Sequence, residues 1–247
     1  MIGYTEADWQ EAELLDYGAD LDSWREIITL TTGPVLELGC GVGRLARALS
    51  IPSRSFVGID RDPAMVTRFN EALATPNCRA FELAVERMDR LRAYSEVDGS
   101  LFGLIMAPML LIQVVDGADS RSAVLSSASR MLQPDGVLAL SVNFDLPDSD
   151  RSLAPVGQPA PPAPGSLVVE PRELRSQLEG VVIEKVRSVV GGTHQEEVVT
   201  DFLHRLSPTD LEKQLNRADL TPFIRFTVPG DRSSQGSSIV LARLSGP

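Results

Sequence analysis

Three glycines and three charged residues near the start of the chain are spaced to hold a small charged molecule. Gly39, Gly41 and Gly43 form a Gly-x-Gly-x-Gly loop directly after the short apolar run Pro34–Leu38. Glycines after a strand let the backbone approach a ligand closely. Glu37 stands just before the loop and Arg44 just after it. A carboxylate there repels a pyrophosphate but suits an ammonium or sulfonium group, and the guanidinium suits a carboxylate. Asp60 closes the next apolar run, Ser55–Ile59. An acceptor-only group at that position can take hydrogen bonds from both hydroxyls of a ribose. An adenosine carrying an amino-acid tail satisfies all three charges. A dinucleotide fits poorly. Its G-x-G-x-x-G/A spacing counted from Gly39 ends on the bulky Arg44, and counted from Gly41 it ends on Ala46 and leaves Gly39 without a role.

The elements that must position these residues alternate. Strands are expected at Pro34–Leu38, Ser55–Ile59, Arg79–Val85, Leu101–Ala107 and Val137–Val142. Helices are expected after Gly43, after the Asp62-Pro63 cap and over Asp119–Leu132, with a turn at Gln133–Gly136. This alternation means an α/β fold with a parallel sheet covered on both faces. Residues 5–30 read as one or two amphipathic helices on Trp9, Leu14, Leu15, Leu21, Trp24, Ile27 and Ile28. The proline-rich stretch Asp145–Gly165 reads as a surface loop. Val181–Val190 and Gln195–Leu206 read as a hairpin, and Leu167–Leu178 as a strand or, over Glu173–Leu178, a helical turn. Ser207 to Asp210 is a capping box that opens a helix, and two strands close the chain. The resulting division is a helical cap (1–33), a core (34–145 and 207–247) and a β insertion (146–206).

Val35-Leu36-Glu37-Leu38-Gly39-Cys40-Gly41-Val42-Gly43-Arg44 resembles the first motif of class I S-adenosylmethionine-dependent methyltransferases, and Val57 to Met65 resembles their second. Leu132 to Leu138 is similar to the turn before their fifth strand. The resemblance implies a doubly wound, Rossmann-like seven-stranded sheet ordered 3-2-1-4-5-7-6, last strand antiparallel, with the insertion as a lid. It also implies S-adenosylmethionine as cofactor and S-adenosylhomocysteine as product. Glu37 and the backbone of Gly39 would hold the amino group, Gly41 would admit the cofactor, Asp60 would hold the ribose and Arg44 the carboxylate. Arg61, Met65, Val85 and Glu86 would surround the adenine. Ala107 would lie near the sulfonium, and Tyr17 or Trp24 would cover the cofactor.

The acceptor side is read from the stretch after the fourth strand, Ala107-Pro108-Met109-Leu110. It lacks the Asn/Asp-Pro-Pro-aromatic motif of the base-amino methyltransferases of nucleic acids. Met109, Gln113 and Asn143 are the candidate acceptor contacts, in a mostly apolar wall suited to a small, uncharged or aromatic secondary metabolite. His204, in the alternating run Thr200–Leu206, is the candidate general base, preferred over His194 beside the Gly191-Gly192 turn. Methyl transfer by in-line displacement to an N, O or C atom is the expected reaction. An NAD(P)-dependent oxidoreductase and a non-catalytic S-adenosylmethionine-binding protein are the alternatives. The formal charge of −11, from 23 Lys+Arg against 34 Asp+Glu, argues against nucleic acid or an anionic membrane as partner. Cys40 and Cys78 alone make neither a disulfide framework nor a four-thiolate zinc site, so no metal is expected. No leader or membrane span is read, giving a cytoplasmic expectation, and a homodimer is allowed.

Overall fold

The computed structural model of the chain describes residues 4–14, 17–49, 54–73, 75–94, 97, 101–153, 165–191, 196–230 and 236–246. Two helices open it, α1 (Glu6–Leu14) and α2 (Leu21–Thr29). The core follows as β1 (Val35–Leu38), α3 (Arg44–Leu49), β2 (Phe56–Asp60), α4 (Pro63–Ala72) and β3 (Cys78–Glu82). A kinked 3₁₀ segment (Val85–Ala93) then leads to β4 (Phe102–Ala107), α5 (Leu111–Val114), α6 (Gly117–Met131) and β5 (Leu132–Val142). The insertion carries β6 (Arg151–Ser152), β7 (Leu167–Ser176), β8 (Gly180–Val189) and β9 (Glu197–His204). Helix α7 (Pro208–Arg217) returns to the core, which β10 (Leu220–Val228) and β11 (Ser237–Leu244) complete.

The main sheet runs β10-β11-β5-β4-β1-β2-β3. Strands β1 to β5 pair in parallel, and β11 is antiparallel to both β5 and β10. That is the expected 3-2-1-4-5-7-6 order. Alternation along each strand sends side chains to two cores. Leu36, Leu38, Val57, Ile59 and Ile105 pack under α6 and α7. Val35, Phe56, Leu104 and Met106 pack under α2, α3 and α4 with Trp24, Ile27, Leu45 and Phe69. Helices α4 and α7 start as the sequence indicates. The Asp62 carboxylate accepts from Ala64 N–H at 2.8 Å, and the Ser207 hydroxyl accepts from Asp210 N–H at 3.1 Å.

Three local expectations are corrected. Gln133–Gly136 belongs to β5 as an irregularity rather than to a separate turn, because Phe102 pairs with Leu132 while Leu104 pairs with Val137. The surplus residues bulge out between those pairs. Glu173–Ser176 is strand, held to β8 after a shift of register between Pro171 and Glu173. Arg151 and Ser152, read as loop, pair with Leu174 and Glu173 and make the insertion a four-stranded antiparallel sheet, β6-β7-β8-β9. Leu15, His194 and most of the proline-rich stretch lie outside the described residues. No helix among the described residues is long and apolar enough to cross a membrane.

Candidate functional site

The carboxyl ends of β1, β2 and β4 meet where strand order reverses, the position at which open α/β sheets bind ligands. The loop between β1 and α3 turns through three left-handed glycines, Gly39 (φ 63°), Gly41 (φ 51°) and Gly43 (φ 86°). Gly41 N–H donates to Asp60 Oδ2 at 2.9 Å, and Asp62 N–H donates to Asp60 Oδ1 at 3.0 Å. Asp60 thus ties the two loops together, and each of its oxygens retains a lone pair for a ligand hydroxyl.

Glu37 is 2% exposed on the sheet face shared with Val35 and Met106. Its Oε2 is buried and has no hydrogen-bond partner among the described residues. Burial, with the nearby Asp20 and Asp60 charges, raises its pKa to about 8 against the opposing pull of Arg44. A buried carboxylate oxygen left without a donor destabilises the fold. It persists where a ligand supplies the donor. An ammonium group does that, so the residues present fit the cofactor expected from the motif.

Arg44 has another occupation. Its Nη1 and Nη2 both donate to Asp20 at 2.8 Å, in an ion pair with both partners largely shielded from water. Its guanidinium also lies 5.0 Å from the Tyr17 ring centroid. Asp20 accepts from Trp24 Nε1–H as well, at 3.0 Å. The Arg44 charge expected to meet a ligand carboxylate is thus already paired within the protein. Trp24 is fully buried in the core. Met65 packs with Ala7 and Val42 beneath α1. Val85 is buried in the core, Glu86 is partly exposed in the first 3₁₀ turn, and Arg61 is exposed. Ala107 is buried at the end of β4.

The acceptor side differs from expectation in three residues. Gln113 is fully buried, and its amide is consumed internally. Nε2 donates to the carbonyls of Asn143 and His204, both at 3.0 Å, while Oε1 accepts from Asn143 N–H at 2.7 Å. It is a clamp between α5, β5 and β9. Asn143 Oδ1 accepts from Asp145 N–H at 2.8 Å. His204 lies on the insertion-sheet face opposite Leu203, since its partner Gly180 precedes the core-facing Val181. Its Nε2 accepts from Gly117 N–H at 3.2 Å, and its ring meets Phe202 edge-on. The nitrogen that would act as a base is thereby occupied. Met109 is 42% exposed and left-handed (φ 53°), followed by left-handed Leu110 (φ 58°). Leu110 packs on the insertion cluster of Leu146, Leu174, Val181 and Leu203.

Two contributors carry no sequence signal. Asp20 stands at the N-cap position of α2 but its side chain makes no cap hydrogen bond; it is instead the hub of the Arg44 and Trp24 contacts. Helix α1 bridges core and insertion: Asp8 and Glu11 hold Arg68 of α4, while Glu6 pairs with Arg187 and Glu13 with Lys185 of β8.

A sheet in this order, with a glycine loop and a buried acid at the end of its first strand, has the architecture of the S-adenosylmethionine-dependent methyltransferases. Residues 35–136 match the family described as a methyltransferase domain, and that segment is one. The CcbJ methyltransferase of Streptomyces caelestis is similar in fold, with a TM-score of 0.73 and 19% identity over 98% of this chain and 99% of that one. An amino pentose methyltransferase of Micromonospora echinaspora has a TM-score of 0.71 and 15% identity, covering 98% of each chain. A curated tRNA (guanine-N(7)-)-methyltransferase of Chlorobium phaeobacteroides is 36% identical over 67 residues, 26% of this chain and 33% of that protein. The chain thus spans about a third of that relative's length.

Proposed function

We propose that the chain transfers the methyl group of S-adenosylmethionine to an amino group of a small secondary-metabolite acceptor. The observation that carries the cofactor assignment is the unpartnered, buried Oε2 of Glu37 beside the left-handed glycine loop. When bound, S-adenosylmethionine supplies a methyl on a sulfonium, already an activated leaving group. Glu37 accepts from the amino group of the cofactor, Asp60 accepts from its ribose, and Met109 offers an apolar surface to the acceptor. These residues bind, orient and exclude water, the main contributions such a reaction asks of a protein.

The choice of an amine rests on the acceptor side. A neutral amine needs no base before it attacks, and the one described histidine has its Nε2 on Gly117 N–H. Similar folds in an amino pentose methyltransferase and a sugar N-methyltransferase support the same class. The charge of −11 supports a small molecule over nucleic acid.

Calorimetric titration tests the cofactor. S-adenosylhomocysteine should bind and NAD should not. Asp60→Ala should weaken S-adenosylhomocysteine by ~1.5–3 kcal/mol, the value of a hydrogen bond to a charged group. Unchanged affinity in a folded Asp60→Ala protein would refute the ribose assignment. Turnover on a panel of amino sugars, phenols and indoles, read by mass, tests the acceptor; methylation of phenols alone would overturn the amine. On any accepted amine, His204→Ala should keep kcat within about threefold, against the ~10²–10⁴-fold loss of a missing general base.

A further inference from the structure

The glycine loop is covered from above by a side chain of α1. A Cβ at Gly41 would lie 2.1 Å from Gln10 Oε1 and 2.9 Å from its Nε2. The amide of Gln10 therefore rests directly on the loop that the sequence marks for close approach. Val42 N–H donates to Gln10 Oε1 at 2.9 Å. A backbone N–H only donates, so the oxygen must face it and the Nε2 group is turned the other way. Among the described residues Nε2 has no acceptor.

The position of this amide is fixed from both sides of its helix. Asp8 and Glu11, which bracket Gln10 in sequence, both bind Arg68 of α4. Glu6 and Glu13, at the two ends of α1, bind Arg187 and Lys185 of the insertion. Gln10 is thus presented by a held helix, with one end of its amide anchored and two hydrogens directed away from the anchor.

A ligand with an amino-acid tail brings a carboxylate as well as an ammonium. The cation that follows the loop, Arg44, is paired with Asp20. A carboxylate in a cradle still needs donors. We propose that Gln10 supplies them, its Nε2 donating to the amino-acid carboxylate of the cofactor while Oε1 stays on Val42 N–H. The proposal rests on the reading of this loop as the S-adenosylmethionine site. A neutral donor also suits the neighbourhood of Glu37: an uncompensated arginine there would compete with the ligand's ammonium for the same carboxylate.

Calorimetry on the full chain with two probes tests this. S-adenosylhomocysteine carries the amino-acid tail, and 5′-methylthioadenosine shares the adenosine and thioether but lacks the tail. Gln10→Glu keeps an acceptor for Val42 N–H and replaces the donors by a negative charge. It should weaken S-adenosylhomocysteine at least about tenfold and leave methylthioadenosine within about twofold. Gln10→Ala should weaken S-adenosylhomocysteine by roughly 5–10-fold with the same indifference to methylthioadenosine. Retained methylthioadenosine binding shows that each variant is folded. Unchanged S-adenosylhomocysteine affinity, or equal loss of both probes, overturns the assignment of Gln10 and leaves the cofactor site standing. A wild-type chain that binds neither probe overturns the cofactor reading and this assignment with it.

Discussion

Glu37→Gln is expected to make the ligand-free protein harder to melt and the cofactor harder to bind. In the unfolded chain Glu37 ionises from its ordinary value of 4.5, whereas in the fold it holds its proton until about pH 8. The folded pKa is raised, so its contribution to stability is full below pH ~4.5 and is lost as pH rises through about 8. Across that window the unfolded state sheds a proton that the folded state keeps. A glutamine has no such proton. At pH 8 the variant should gain on the order of 4 kcal/mol at most, or roughly 8–15 °C in Tm for a chain of this size. At pH 4 the two proteins should melt together. Affinity for S-adenosylhomocysteine should fall about 10–100-fold, because an amide cannot supply the charge that an ammonium pairs with. Equal melting temperatures at pH 8 would mean that Glu37 is not desolvated. Equal affinities would remove it from the site.

Asp20→Ala should be the most damaging single change near the cradle. It leaves Arg44 shielded from water without a counter-charge and strips the acceptor from Trp24 Nε1–H. Breaking one side of a buried pair costs about 3–5 kcal/mol, mostly the penalty of the charge left behind. In urea the midpoint should fall with the slope unchanged. Removing the stranded charge should restore part of the loss, so Asp20→Ala with Arg44→Met should be more stable than Asp20→Ala alone. Simple addition of the two single effects would show that the pair does not act as a unit.

The parallel core was legible because its signals are local. Val35–Leu38 and Phe56–Asp60 are short apolar runs closed by a glycine loop or an acid, and Asp62-Pro63 and Ser207 announce their helices. The roles of Glu37 and Asp60 could be posed for the same reason, since strand ends bring them to one edge. The contacts of Arg44 and Trp24 were not legible because their shared partner, Asp20, lies outside any motif. Spacing shows that a guanidinium follows the loop; it does not show that an acid 24 residues earlier pairs with it. Gln113 failed in the same way: a buried amide between two chain segments looks, in sequence, like an amide waiting for a ligand. The alternation that placed His204 with Phe202 was sound. Which face of that strand turns towards the core depended on Leu203 and Val181 packing against Leu110, a contact between distant segments.

On the proposed function, the two left-handed residues after β4 set how freely the acceptor preference can drift. Each holds about 1–3 kcal/mol of backbone strain, kept in place by the packing of Leu110 against the insertion. That strain belongs to the backbone at Met109 and is the same for most unbranched side chains placed there. The side chain itself is 42% exposed. Exchanging it therefore alters the surface offered to an incoming molecule at less cost to folding than a change in the core, and glycine or asparagine would relieve the backbone strain. If Met109 meets the acceptor as proposed, lineages of this protein could try new acceptors at that position with few compensating mutations elsewhere.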